Sequence, residues 1–190
     1  MIEQWMHEKL KKDIGEVRYN HSIGVMNTSM ELAKLYGYPE GEAELAGFLH
    51  DCGKLKDKIN LLKIAKEFDI ILDNVMKHNP ELIHGPLGEK IAIKEYKVTN
   101  KNVLNAIRYH TTGRENMSLL EKIVYVADII EPGRKFEGVD TIRQLAYEDI
   151  DKCLLYALDR TIVFVISKGK LIHLDTIKAR NQLIILKDLE

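Results

Sequence analysis

Residues 39–54 read PEGEAELAGFLHDCGK, and this stretch carries both the periodicity and the polar pair that decide the fold. Pro39-Glu40 opens a helix whose inner face is small: Ala43, Ala46 and Gly47, and then His50. Small residues let a neighbouring helix axis approach, so His50 is expected deep between helices rather than at the surface. Asp51 follows it directly and sets a carboxylate beside the imidazole at a helix end. Either residue alone means little, because a lone histidine on an apolar stripe is more often a hydrogen-bonded core residue than a ligand.

Outward from this stretch the helical period dominates, and no run of strand-like alternation appears. Residues 2–12 read as a short polar helix carrying Trp5 and Leu10. From about Val17 to Tyr36 a stripe of Val25, Thr28, Leu32 and Leu35 forms, closed by Gly37. His21 lies on that stripe, with Arg18 one turn before it. Residues 56–80 form a looser, lysine-rich helical region leading to Asn79-Pro80. Pro86 fits the first turn of a helix reaching about Tyr96, which places His84 just before a helix start, where free N–H groups favour anions.

Thr99 or Asn100 is expected to cap a helix running to His110, with Val103, Ala106 and Ile107 inward. Ser118 and Glu121 have capping-box spacing. The helix they open carries Leu120, Val124, Ala127 and Asp128 along one side and stops at Glu131-Pro132-Gly133. Helices over about 149–167 and 175–186 complete the chain. The expectation is one all-α domain over residues 1–190, a single-domain helical bundle with core motifs at 18–134 and C-terminal helices at 149–186.

Composition narrows the function. The chain has 190 residues, 45% hydrophobic and 30% charged, with a formal net charge of -1. That is an ordinary globular balance, without the basic excess that would draw it to nucleic acid. No apolar run reaches the length of a membrane span, and Met1-Ile2-Glu3-Gln4-Trp5 lacks the layout of a signal peptide. Cys52 and Cys153 have no CxxC spacing and read as free thiols in a reducing compartment, so a cytoplasmic protein is expected.

Five polar sites fall on inner helical positions: His21, the His50-Asp51 pair, His84, His110 and Asp128. Taken singly, each has a bland reading. Asp128, for instance, could simply pair with Arg108 or Arg134. Together they exceed what ordinary ion pairing needs, since charged groups on inner faces are costly unless paired or coordinated. Mixed imidazole and carboxylate donors suit a divalent transition metal such as iron, manganese or zinc. Arg18 and Lys54, each one turn from a candidate ligand, are placed to meet phosphate, and Arg134 is a third candidate.

The order His21 … His50-Asp51 … Asp128 resembles the HD superfamily of metal-dependent phosphohydrolases. The local context is more specific: Arg18-Tyr19-x-His21, Leu49-His50-Asp51-x-x-Lys54, His84-Gly85, Tyr109-His110-Thr111-Thr112-Gly113, Met117-Ser118, 122–128 (KIVYVAD) and Ile130-Glu131-Pro132-Gly133-Arg134. In this order the motifs are similar to those of the YqeK-type branch, the bacterial symmetrical bis(5′-nucleosyl)-tetraphosphatases, over about residues 18–181. The resemblance implies that His21, His50, Asp51 and Asp128 hold one metal, iron in that family. His84 and His110 match histidines that bind a second ion in two-metal members, with Asp51 bridging.

It further implies hydrolysis of diadenosine tetraphosphate and related dinucleoside polyphosphates into two nucleoside diphosphates, with Asp51, Lys54, His84 and His110 in catalysis. Arg18, Lys54, His84, His110, Thr111, Arg134, His173 and Arg180 are the expected substrate contacts, the last two from the segment that includes Thr176-x-x-Ala179-Arg180-Asn181. The expected partner is a small nucleotide, not nucleic acid or membrane, and a homodimer is left open. Two alternatives stand beside this reading: an HD nucleotidase or phosphodiesterase on other nucleotides, and a non-catalytic HD domain that binds a nucleotide.

Overall fold

Helix α1 (Gln4–Ile14) and helix α2 (Glu16–Leu35) are separated by Gly15 alone, whose φ of 82° is a conformation that glycine adopts at little cost. The computed structural model describes residues 2–55 and 61–187 of the chain. Every regular element among the described residues is helical, so the all-α expectation holds.

Helix α3 (Glu40–Leu49) lies along α2, and this is the most extensive helix pairing among the described residues. The small face Ala43, Ala46 and Gly47 is buried there, as its composition requires. α2 buries Ser22, Val25, Thr28, Ser29, Leu32 and Ala33; Leu35, expected on the stripe, is instead about half exposed. The helical period turns it outward at the last residue before the chain leaves α2.

The region expected as one looser helix divides into α4 (Leu61–Glu67), α5 (Asn74–His78) and a 3-10 turn at Pro80–Ile83. Residues 56–60 of that expectation lie outside the described residues. α6 (His84–Tyr96) begins at His84 itself, two residues earlier than Pro86 indicated, because the 3-10 turn runs straight into it.

Asn100 caps α7 (Lys101–Tyr109), its side chain accepting from the backbone N–H groups of Asn102 and Val103. Ser118 and Glu121 form the expected capping box at the head of α8 (Leu119–Ile130). α9 (Val139–Glu148) was not expected, since residues 134–148 carried no start signal. It buries Val139, Ile142 and Ala146 and opens from Gly138 in the left-handed region (φ 87°), without any side-chain cap.

α10 (Ile150–Ser167) opens from Asp149, which accepts from the N–H groups of Asp151 and Lys152, and α11 (Leu174–Lys187) closes the described chain. Truncating Asp149 to alanine should cost about 1 kcal/mol and lower the melting temperature by roughly 2–4 °C, as thermal unfolding would show. The hydrogen bond from the Lys152 backbone, helped by that residue's charge, holds the Asp149 carboxyl below its usual value. The cap's contribution is therefore present above the unfolded pKa and is lost as pH falls. The wild-type advantage over Asp149→Ala should shrink in acid.

α8 is the central helix, touching α2, α3, α7, α9 and α10. Leu120, Ile123 and Tyr125 of α8 meet Phe48 and Leu49 of α3, Leu87 of α6 and Ile107 of α7 in one core. Each fully buried side chain of this kind contributes roughly 1.5–3 kcal/mol. The consequence for function is positional. α2, α3, α6, α7 and α8 each bring one candidate polar site toward the same interior point. No helix among the described residues is long and apolar enough to cross a membrane.

Candidate metal centre

Four histidines dispose of one ring nitrogen in the same way. His50 Nδ1 donates to the Gly47 carbonyl at 2.7 Å, and His110 Nδ1 to the Ile107 carbonyl at 2.7 Å. His84 Nδ1 donates to the Glu81 carbonyl, and His21 Nδ1 to the Glu131 carboxylate at 3.0 Å. Three of these acceptors lie three residues back in the chain, at helix ends where carbonyls are otherwise free. With Nδ1 engaged, each ring presents Nε2 to the interior, the arrangement that orients imidazoles toward a metal.

The Nε2 atoms converge on Asp51, and Asp51 divides its two oxygens between them. Oδ2 lies 3.4 Å from His50 Nε2 and 3.9 Å from His21 Nε2. Oδ1 lies 3.4 Å from His110 Nε2 and 3.5 Å from His84 Nε2. Asp128 Oδ1 completes the first side, 2.9 Å from His21 Nε2 and 3.9 Å from His50 Nε2. On the second side the Thr111 hydroxyl sits 2.9 Å from His84 Nε2 and 3.0 Å from His110 Nε2.

Burial makes this assembly costly unless something else binds it. His50 and Asp51 are 0% and 1% exposed. His50 Nε2 and Asp51 Oδ1 are buried without a hydrogen-bond partner. Such orphaned atoms aimed at one point, in a mixed imidazole–carboxylate set, fit a divalent cation. Ligand atoms of three overlapping triads, His21/His50/Asp51, His50/His110/Asp128 and Asp51/His84/His110, each lie within 4.8 Å of one another.

The electrostatics keep both carboxylates ionised and one of the imidazoles neutral. Burial would raise the Asp51 carboxyl, but the neighbouring His50, His110 and Lys54 outweigh it and hold it well below the usual range. Asp128 is likewise held low against its burial by the His21 hydrogen bond and the charges of His50 and Arg134. Burial, with Lys54 and His110 nearby, pushes His84 well below its usual value and keeps its imidazole neutral.

Among the described residues, three cations border the carboxylates. Arg18 donates to Asp51 Oδ2 at 2.8 Å, Lys54 Nζ lies 3.2 Å from Asp51 Oδ1, and Arg134 donates to both the Asp128 carboxylate and its backbone carbonyl. The ordinary pairing of Asp128 with Arg134 thus exists alongside its place in the cluster. Arg108 is engaged elsewhere, with Glu89. Each of the three is about one-third exposed, between the buried carboxylates and solvent. The turn that brings Asp51 and His84 together depends on Gly53: a Cβ there would lie 2.2 Å from the His84 carbonyl.

Two expected contacts pair with acids that are not members of the cluster. His173 Nε2 pairs with Asp73 at 2.7 Å, and Arg180 Nε with Asp159 at 2.8 Å. Thr176 instead ties α11 to the site's backbone, donating to the Thr112 carbonyl at 2.8 Å. Cys52 is fully buried, and burial raises its thiol far above the ordinary range, so it packs as filler. Glu131 reads in the sequence only as part of a helix stop. It is 5% exposed, holds His21 Nδ1, and accepts from the Gly133 N–H at 2.6 Å.

This fold and this donor set define a metal-binding helical hydrolase domain, and the chain belongs to the HD domain family, which it matches over residues 18–133. It is 42% identical to a symmetrical bis(5′-nucleosyl)-tetraphosphatase of Halalkalibacterium halodurans, over 93% of this chain and 94% of that protein. It is 41% identical to the Bacillus subtilis protein of the same name, over 92% and 94%. A crystal structure from Clostridium acetobutylicum, of a predicted HD superfamily hydrolase involved in NAD metabolism, superposes with a TM-score of 0.91. Its sequence is 46% identical, and the match covers 95% of each chain.

Proposed function

We propose that this protein hydrolyses diadenosine tetraphosphate symmetrically, cleaving the central P–O–P bridge with one water to release two ADP. The observation that carries the chemistry is the convergence of four Nε2 atoms on the divided Asp51 carboxylate. The substrate class comes from the two tetraphosphatases that match over nearly the whole chain.

His21, His50, Asp51 and Asp128 would hold one divalent ion, for which iron is our assignment, with Asp51, His84 and His110 for a second. Bound there, such a cation supplies Lewis acidity, lowering the pKa of water toward neutrality and polarising a phosphoryl oxygen. The side chains supply the rest. Arg18, Lys54 and Arg134 face the substrate's oxygens with positive charge, and the arginine forks match phosphate geometry. The Thr111 hydroxyl, between two imidazoles, can donate to a phosphate oxygen or orient the attacking water. The leaving group is a nucleoside diphosphate, stable as an anion near neutral pH, so the step asks for charge neutralisation more than for a strong general acid. Free buried thiols at Cys52 and Cys153 suit a reducing cytoplasm.

Chromatography of products from the metal-loaded protein decides the matter. Two equivalents of ADP with no AMP or ATP is the expected result. AMP plus ATP would place the cut at another bridge and refute the symmetrical reading. Turnover of NAD or cyclic dinucleotides with the tetraphosphate untouched would move the protein to another HD activity, and bound nucleotide without turnover would make it a sensor.

A further inference from the structure

We propose that the apolar cavity beside Arg134 receives one purine nucleoside of the substrate, its base between Phe136 and Phe164. The proposal deepens the hydrolase reading and rests on it. The cavity measures about 500 Å³, within the range of small-molecule sites, and its walls include Ile129, Arg134, Phe136, Arg160, Thr161 and Phe164. Its floor is closed by Ile142 and Ala157, both buried.

Position argues first. Ile129 follows Asp128 directly, and Arg134 Nε donates to the Asp128 carbonyl at 2.7 Å while its terminal nitrogen holds the Asp128 carboxylate. One arginine side chain therefore borders both the metal centre and the cavity. A nucleotide with its phosphates at Arg134 would carry its ribose and base into this space.

Chemistry argues second. Phe136 and Phe164 are 43% and 60% exposed, and they line one cavity without forming a ring pair with each other among the described residues. Lys168 Nζ stands 5.5 Å over one face of the Phe164 ring, and the proposed base takes the other. Arg160, held by the Glu137 carbonyl, adds a second guanidinium to the rim. Two exposed aromatic rings bordered by two arginines suit a flat, weakly polar ring attached to an anion.

A second cavity of about 470 Å³ near Thr28 lacks this character: no phenylalanine lines it, and its arginine and its tyrosine are already paired. Arg143 donates to the carbonyls of Ile130, Glu131 and Arg134, and the Tyr147 hydroxyl to Glu31.

The test uses the metal-loaded protein with calorimetric titration of ADP and, separately, of inorganic pyrophosphate. Phe136→Ala and Phe164→Ala should each weaken ADP about tenfold, within the range for losing a base–aromatic stack, and leave pyrophosphate within twofold. With diadenosine tetraphosphate, KM should rise about tenfold while kcat stays within twofold. Both rings are solvent-exposed, so the variants should fold. Unchanged ADP affinity in both variants overturns the proposal. A shift to a smaller species on gel filtration, with ADP affinity unchanged, also overturns it and assigns the rings to a second copy of the chain. If the wild type does not hydrolyse the tetraphosphate at all, the hydrolase reading fails, and the ADP-to-pyrophosphate contrast still decides the subsite.

Discussion

Asp51→Asn should give a folded protein that no longer holds stoichiometric metal and hydrolyses diadenosine tetraphosphate at least about a thousandfold more slowly. The size follows from what the carboxylate does. Removing one contact that stabilises developing charge costs roughly 10²–10³ in rate. Asp51 is shared by both halves of the cluster, with Oδ2 toward His21 and His50 and Oδ1 toward His84 and His110. An amide of the same shape has one carbonyl oxygen and no charge, so it cannot serve both sides. It also leaves Arg18 and Lys54 without the anion that now holds them, and turns an NH₂ group toward the place a cation would take. Elemental analysis and product chromatography measure the two losses, and circular dichroism checks the fold. Full metal content with near wild-type turnover would remove Asp51 from the centre of the mechanism.

What the sequence disclosed and what it hid divide along a physical line. Features fixed within one turn of helix were readable: the Asn100 cap, the capping box at Ser118, and the small face that buries His50. α9 was hidden because its start has no side-chain cap; Gly138 in the left-handed region begins it, and only the spacing of Val139, Ile142 and Ala146 marks it. The cluster could be proposed because five unusual polar sites demanded partners, and the HD resemblance named the set. Contacts made across the chain were beyond reach. His173 lies beside Asp73, one hundred positions earlier, and Arg180 beside Asp159, neither of which has any local signature. Glu131 reads from sequence as the residue that ends a helix, and its contact with His21 spans 110 positions.

That contact carries the second large expectation. Glu131→Ala should weaken binding of a divalent metal by about 10- to 100-fold, the usual cost of removing the acceptor behind a metal-binding histidine. His21 is the one imidazole of the four whose Nδ1 is held by a side chain; the other three lean on carbonyls of their own helical turns. It is therefore the ring whose orientation a single substitution can release. Gly24, one turn along α2 from His21, offers an independent approach. A Cβ at that position would stand 2.6 Å from Glu131 Oε2, so Gly24→Ala must displace the carboxylate without removing any polar group. Both variants should weaken metal binding in a chelator competition, whereas a role confined to the 131–134 turn predicts another pattern. Glu131 also accepts from the Gly133 N–H, and losing that bond alone would lower the melting temperature of the metal-free protein and leave metal affinity unchanged. Observing that second pattern in Glu131→Ala and Gly24→Ala would reduce Glu131 to a turn brace and leave His21 oriented by Asp128 alone.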